Sequence, residues 1–262
     1  MNISGNTILI TGGTSGIGRA LAEAFHREGN QVIVTGRRRN LLDEVTGANP
    51  GMKAAVLDVQ DGDAVARFAK AAQEEYPSLN VLINNAGIMK PENLNDPNHD
   101  FTLVESTVET NLLAPIRLTT SLLPMLKRQP QATVMTVSSG LAFVPMALTA
   151  TYCATKAAIH SWTQSLRYQL KETQVQVMEL IPPYVQTQLM GEHQAADPRA
   201  MPLKDFIAEV MAILRTQPDA REICVQRVYP LRFAEEQGQP KYAEFFNRFN
   251  DQVMAASRAG EQ

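Results

Sequence analysis

Tyr152 and Lys156 stand four residues apart in Tyr-Cys-Ala-Thr-Lys, a spacing that puts both side chains on one face of a helix. A free phenol titrates near ~10 and is a poor acid or base at neutral pH. An ammonium one turn away, with any further positive charge beside it, favours the phenolate and lowers that value. The chemistry open to such a pair is proton transfer to or from an oxygen. Two other polar positions belong to the same stretch of chain: Ser139, thirteen residues before Tyr152 at the end of a β-rich run, and Asn111 within a helical pattern. Each has a plainer reading on its own. Tyr-x3-Lys arises by chance on helices, Ser139 could cap a strand end, and Asn111 could satisfy a helix backbone. Ser138 points the other way along an extended backbone and is set aside.

A second constellation, Thr-Gly-Gly-Thr-Ser-Gly-Ile-Gly at 11–18, follows the first β-rich run and opens a helical one. Gly12 allows a tight turn, Gly16 lets backbone approach a pyrophosphate, and Gly18 lets helix pack on strand. The free N–H groups and dipole of the following helix attract negative charge, which places Thr14, Ser15 and Ile17 along a dinucleotide. The second β-rich run ends in Thr35-Gly36-Arg37-Arg38-Arg39. Where NAD is bound, an Asp or Glu usually stands about 20 residues past the glycines to hold the ribose hydroxyls. With no acid at Gly36 and a guanidinium at Arg37, a 2′-phosphate is attracted instead, so NADP(H) is the expected cofactor, with NAD(H) left open. Arg37 is the expected main contact and Arg38 the second; the alternative is that the arginines only cap a solvated loop. Asp58, ending the third run with Val59 beside it, is placed to accept from an adenine amino group.

These groups need a frame. Candidate strands lie at 7–11, 31–35, 54–57, 81–84, 133–137, 175–181 and 222–225, several of them apolar on consecutive residues, as strands covered on both faces must be. Between them run helical patterns at 17–28, 64–75, 105–126, 151–171 and 204–214. This alternation predicts an α/β fold, a doubly wound parallel Rossmann sheet of about seven strands with helices on both faces. No boundary or repeat divides the 262 residues, which are expected to form a single domain. The chain is 44% hydrophobic and 19% charged, with a net charge of −3. Such a balance supplies a core and lacks the basic excess that nucleic acid or an anionic membrane would need. Two cysteines give neither a disulfide framework nor a Cys-based zinc site, and no metal is expected. With no leader-like start and no apolar run of ~20 residues, the reading is cytoplasmic.

Thr-Gly-x3-Gly-x-Gly, Asn84-Asn85-Ala86-Gly87, the helical Asn111, Ser139, and Tyr152-x3-Lys156 together resemble the short-chain dehydrogenase/reductases over residues 5–228. The resemblance implies an NADP(H)-dependent oxidoreductase that interconverts a ketone or aldehyde and an alcohol. Its catalytic tetrad would be Asn111, Ser139, Tyr152 and Lys156. Tyr152 would be the general acid or base, Ser139 would bond the substrate oxygen, and Lys156 would bind the nicotinamide ribose. Asn111 would hold a water linking Lys156 to solvent. Asn84, Asn85, Ala86 and Gly87 would lie along the cofactor, chiefly by backbone contacts.

The chain departs from that pattern after the sixth strand, where Ile181-Pro182-Pro183-Tyr184-Val185-Gln186-Thr187 has proline in place of the usual glycine. Val185 and Thr187 could still reach the carboxamide. Pro-Pro-x-Val-x-Thr is similar to the branch named for the lipoteichoic-acid D-alanylation operon oxidoreductases. The segment 186–202 is expected to act as a lid, and 239–258 as a further amphipathic helix that puts the family's common tetramer contact in doubt. A homodimer through the helices at 105–126 and 151–171 is expected, a tetramer remaining open. The substrate wall is expected to be apolar: Met89, Leu141, Phe143, Met146, Leu148, Tyr184, Leu189 and Met190. It suits an uncharged carbonyl or alcohol. His160 and Cys153 are read as packing residues, His26 and His99 as surface residues, and His193 as part of the lid. A competing reading is a redox sensor that holds NADP(H) without turnover; another is a nucleotide-binding methyltransferase on a similar sheet.

Overall fold

A computed structural model describes residues 1–260 of the chain. Seven strands form one sheet: β1 (Thr7–Thr11), β2 (Gln31–Gly36), β3 (Lys53–Val56), β4 (Leu79–Asn84), β5 (Ala132–Val137), β6 (Val175–Ile181) and β7 (Glu222–Cys224). Their order is β3-β2-β1-β4-β5-β6-β7, and every pairing is parallel. The order reverses direction between β1 and β4, which opens a crevice at the carboxyl ends of those two strands.

Consecutive apolar residues face opposite layers, as strands covered on both sides require. Ile8, Ile10, Val32, Val34, Val81 and Ile83 pack under α1 (Gly16–Arg27) and α8 (Leu203–Thr216). Leu9, Ile33, Leu82 and Val134 pack against α3 (Gly62–Glu75), α5 (Ala114–Leu126) and α6 (Ala150–Gln169).

Three helices lie outside the sequence expectation. The first, α2 (Arg39–Ala48), buries only Leu42 and Val45, too thin an apolar stripe to stand out among polar residues. The others are the short α7 (Glu192–Ala196) and α9 (Tyr229–Arg232). The long helix expected at 105–126 is broken into α4 (Phe101–Val108), a π turn at Glu109–Leu113, and α5. The cause is Pro115, which has no N–H to give the carbonyl of Asn111 and whose ring crowds it, so the ladder widens there. The last helix, α10 (Gln239–Gly260), begins where the amphipathic pattern predicted. Among the described residues no helix is long and apolar enough to cross a membrane.

The helix that bears Tyr152 and Lys156 is fastened to the sheet by a polar pair. Thr163 on α6 and Thr136 on β5, both fully buried, share a hydroxyl contact of 2.8 Å, and Thr163 also donates to the Ile159 carbonyl. Replacing one partner alone strands the other hydroxyl in the core, whereas replacing both leaves a dry, shape-matched contact. Thr163→Val is therefore expected to lower unfolding free energy by ~1–3 kcal/mol, and the Thr136→Val/Thr163→Val pair to lose less than the single variant. Chemical denaturation of the three proteins checks this; equal losses in single and double variants would contradict it.

Candidate active site

The π turn and the start of α6 meet beyond the end of β5. Lys156 is buried, and its Nζ donates to the last carbonyl of β5, that of Val137, at 2.7 Å. The same Nζ lies 5.5 Å from the centre of the Tyr152 ring, so the two side chains share one face as their spacing required. Burial draws the Lys156 ammonium down to about 8, with the Glu179 carboxylate resisting. Burial likewise pushes the Tyr152 phenol well above its ordinary value, and a hydrogen bond with Ser139 pulls it back only in part. Burial is the largest influence on the phenol, which stays protonated at neutral pH; the lowering expected from Lys156 together with an oxidised nicotinamide concerns the nucleotide-bound protein.

Ser139 caps a short 3-10 turn, accepting from the Leu141 amide at 3.1 Å, and faces Tyr152. Ser138 is buried with a hydroxyl that finds no partner, on the other side of the backbone. Asn111 is buried beside Lys156 and Thr155. Its Oδ1 accepts from the Ile88 amide at 2.9 Å, and its Nδ2 donates to the Ile88 carbonyl at 2.9 Å and to Thr155 Oγ1 at 3.2 Å. The amide clasps the strand-end loop to α6, with both Nδ2 hydrogens donated and one acceptor site of Oδ1 used. Gly87 sits between these groups: a Cβ there would stand 3.4 Å from Asn111 Oδ1 and 3.7 Å from Lys156 Nζ.

The glycine loop has the shape of an anion cradle. Gly12 (φ +67°) and Gly16 (φ +53°) occupy left-handed backbone that other residues rarely adopt. A Cβ on Gly18 would strike the Gly12 carbonyl and the Asn85 amide, so this glycine permits close helix–strand packing. At the head of α1, Ser15 is exposed and extended, makes no side-chain cap, and is followed by no acidic residue in the first turn. The first N–H groups of a twelve-residue helix are thus left for a ligand, and the residues present fit a dinucleotide's phosphates. Ile17 instead turns inward and packs on the core.

Asn85 joins the glycine loop to the end of β4. Its Nδ2 donates to the carbonyls of Thr11 (2.9 Å) and Gly12 (3.3 Å), while Thr11 Oγ1 accepts from the amides of Asn85 and Ala86 at 3.0 Å each. The side chain ties the two loops together through its Nδ2. Asn84 points away, donating to Thr119 at 2.8 Å.

Thr14 reaches the end of β2, where a Cβ on Gly36 would stand 2.9 Å from its methyl group, so the cradle adjoins Arg37. Arg37, Arg38 and Arg39 are exposed and have no ion-pair partner among the described residues. Asp58 is half-buried and spends one oxygen on the Gln60 amide at 3.0 Å, keeping the other; Val59 packs on the core.

The segment 186–202 folds back over this crevice. A parallel bridge joins Val185 to Met201, and the buried Gln194 donates to the Val185 carbonyl (2.8 Å) and to Thr187 Oγ1 (3.1 Å). Thr187 in turn lies over the glycine loop, its Cβ 3.6 Å from where a Cβ of Gly16 would be. Gln194 escaped the sequence reading because a lone glutamine in a polar insertion looks solvated.

Met89, Leu141, Met146 and Met190 cluster with Tyr152 and Cys153, forming an apolar wall beside the phenol. Four other expected wall residues do not join that cluster. Phe143 turns to the far side, edge-on to His160 at 4.7 Å and under the Arg232 guanidinium at 4.6 Å. Tyr184 bonds Asp197 at 3.2 Å, Leu189 is partly exposed, and Leu148 lends its carbonyl to the Glu92 amide at 2.8 Å. Glu92 itself was missed among polar loop residues. Its buried carboxylate accepts from the Thr151 amide (2.8 Å) and hydroxyl (2.6 Å), capping α6 one residue before Tyr152. His160 bonds the buried Glu179 at 2.8 Å, a structural contact as expected, whereas His26 is half-buried rather than a plain surface residue. His160, Glu179 and Glu222 converge closely enough for a cation, but Arg232 already pairs with Glu222 at 2.7 Å.

The family model for short chain dehydrogenase matches residues 6–198. An uncharacterized oxidoreductase of Bacillus subtilis (strain 168), DltE, is 36% identical over 255 residues, covering 96% of this chain and 99% of that protein. A solved short chain dehydrogenase from Burkholderia cenocepacia J2315, in complex with NADP, superposes with a TM-score of 0.79 at 24% identity, covering 93% of this chain and 98% of that one. Another from Burkholderia phymatum, in complex with NAD, gives 0.74 at 20% identity, covering 90% and 95%. The parallel sheet, the glycine loop at its crest, the Tyr-x3-Lys face and these likenesses agree, and the chain belongs to the short-chain dehydrogenase family of oxidoreductases.

Proposed function

We propose that the protein is an NADP(H)-dependent carbonyl reductase or alcohol dehydrogenase in which Tyr152 is the general acid and base. What carries this reading is the buried Lys156 ammonium against the Tyr152 ring, at the mouth of a glycine loop whose helix is left uncapped. The nucleotide would supply or accept the hydride; the protein's share is placement and electrostatics. The first N–H groups of α1 would hold the pyrophosphate, and Arg37, with Arg38, the 2′-phosphate. Val185 and Thr187, steadied by Gln194, would close over the nicotinamide end. That solved relatives carry NADP in one case and NAD in another is consistent with this assignment.

A carbonyl substrate would lie between Ser139 and Tyr152 with its oxygen toward both. Ser139 donates to that oxygen, and Tyr152, protonated at neutral pH in its dry setting, gives it a proton as the alkoxide forms. Lys156 lends positive charge to the phenolate that results. In the reverse direction the same phenolate removes the alcohol proton. Met89, Leu141, Met146 and Met190 offer no charge to a substrate, which supports an uncharged ketone, aldehyde or secondary alcohol.

Tyr152→Phe is expected to lower turnover by roughly a hundred- to ten-thousandfold, the usual worth of a positioned acid, while NADPH affinity is kept. Steady-state rates on a panel of ketones, with NADPH binding followed by fluorescence, check this. Undiminished turnover in the variant contradicts the mechanism, and a wild-type protein that binds NADPH yet consumes none would be the sensor instead. Arg37→Asp is expected to shift the NADPH-to-NADH preference toward NADH by on the order of 10- to 100-fold, as loss of a charge-assisted hydrogen bond implies. Dissociation constants for both nucleotides test it; an unmoved ratio removes Arg37 from the cofactor site.

A further inference from the structure

One contact in the structure ties the C-terminal helix to the substrate wall, through a residue outside every motif. Asn250 on α10 is buried, and its amide reaches the loop between the two 3-10 turns that precede α6. Its Oδ1 accepts from the Ala147 amide at 2.6 Å and its Nδ2 donates to the Pro145 carbonyl at 3.1 Å. Those two backbone groups flank Met146, so one side chain brackets that residue as a neighbouring strand would. The other side of Met146 is also held. Its amide donates to Cys153 Sγ at 3.2 Å, and that sulfur lies 3.6 Å from its carbonyl. Eight residues earlier on α10, Tyr242 donates to the Phe143 carbonyl at 3.1 Å, a second rivet on the same loop.

Bracketing from two sides leaves Met146 in one extended conformation (φ −92°, ψ 115°) with its thioether among the apolar groups around Tyr152. A methionine is otherwise the least specifying of wall residues, since three rotatable bonds let it fit several shapes. Fixing its backbone narrows where that side chain can go.

We propose that Asn250 is a specificity-determining positioning residue: by bracketing Met146 it sets the width of the substrate wall. The proposal rests on the reductase reading given above. It makes the C-terminal helix part of the substrate site without contact between α10 and the reacting atoms.

The test uses the full-length protein carrying Cys224→Ser, so that Cys153 is its one thiol, and compares a small with a bulky aliphatic ketone. Asn250→Ala is expected to change the ratio of the two KM values by on the order of tenfold, with kcat for the small ketone and the NADPH dissociation constant held within about twofold. Alkylation of Cys153 by N-ethylmaleimide in the same variant is expected to speed up, because the loop that covers the sulfur loosens. Met146→Ala is expected to change the KM ratio in its own right and to absorb the effect of Asn250→Ala when the two are combined, since coupled residues are not additive. Asn250→Ser, whose hydroxyl keeps one donor and one acceptor on a shorter arm, should fall between wild type and alanine, and it replaces the alanine variant if that one does not fold. An unchanged KM ratio, or full additivity with Met146→Ala, overturns the specificity role. Should the wild-type protein reduce no ketone, the reductase reading fails separately, and unchanged Cys153 labelling then overturns the bracket itself.

Discussion

A lysine ammonium held out of water is the constraint around which this molecule is arranged. Lys156 is almost wholly buried, and a charge in that position persists only where hydrogen bonds and nearby opposite charge offset its desolvation. The Val137 carbonyl supplies the first, and the Glu179 carboxylate, buried on the neighbouring strand, supplies the second. Both come from the paired strands β5 and β6, so the position of the ammonium is as rigid as their pairing. The phenol of Tyr152, one turn earlier on α6, inherits that rigidity. In the dry site the phenol keeps its proton at neutral pH.

The parts around that centre are joined by side-chain amides and hydroxyls more than by apolar packing. Asn111 clasps the Ile88 backbone to α6, Asn85 and Thr11 lock the two strand-end loops together, and Gln194 pins the returning segment 186–202. Glu92 caps the helix that carries Tyr152, and Asn250 brackets the loop that leads into it. At a sheet's carboxyl edge the loops have many backbone groups and little core, so polar side chains must do the fixing.

This division explains what could be read from the sequence. The strands announced themselves because both faces are covered, so that Val-Ile-Val at 32–34 and Val-Leu-Ile at 81–83 are apolar at every position. The cradle and the Tyr–Lys face were legible because the chemistry requires fixed spacing. Less legible was the break at Pro115, where a strong apolar pattern continues through the interruption of the hydrogen-bond ladder. Nor could it be foreseen that the Asn85 and Asn111 amides tie loop backbone together, because an amide serves several purposes and only the neighbours decide. Phe143 was misplaced for a similar reason: an aromatic near Tyr152 in sequence was turned away by the Arg232 guanidinium and the His160 ring. Glu92 and Asn250 had no local pattern, since each acts across the fold on residues far along the chain, and Gln194 bonds back within a polar insertion that looked solvated.

The pKa of one phenol, raised by burial and lowered when a positive nucleotide ring joins Lys156 beside it, is therefore the central claim. Its most direct measurement is an ultraviolet difference titration of the wild-type protein against Tyr152→Phe, with and without NADP+. Without nucleotide the Tyr152 phenolate band should be absent until the pH is well above the ordinary value of 10.0. With NADP+ added, the band should begin at lower pH. A phenol that titrates at its ordinary value in both states would contradict the account.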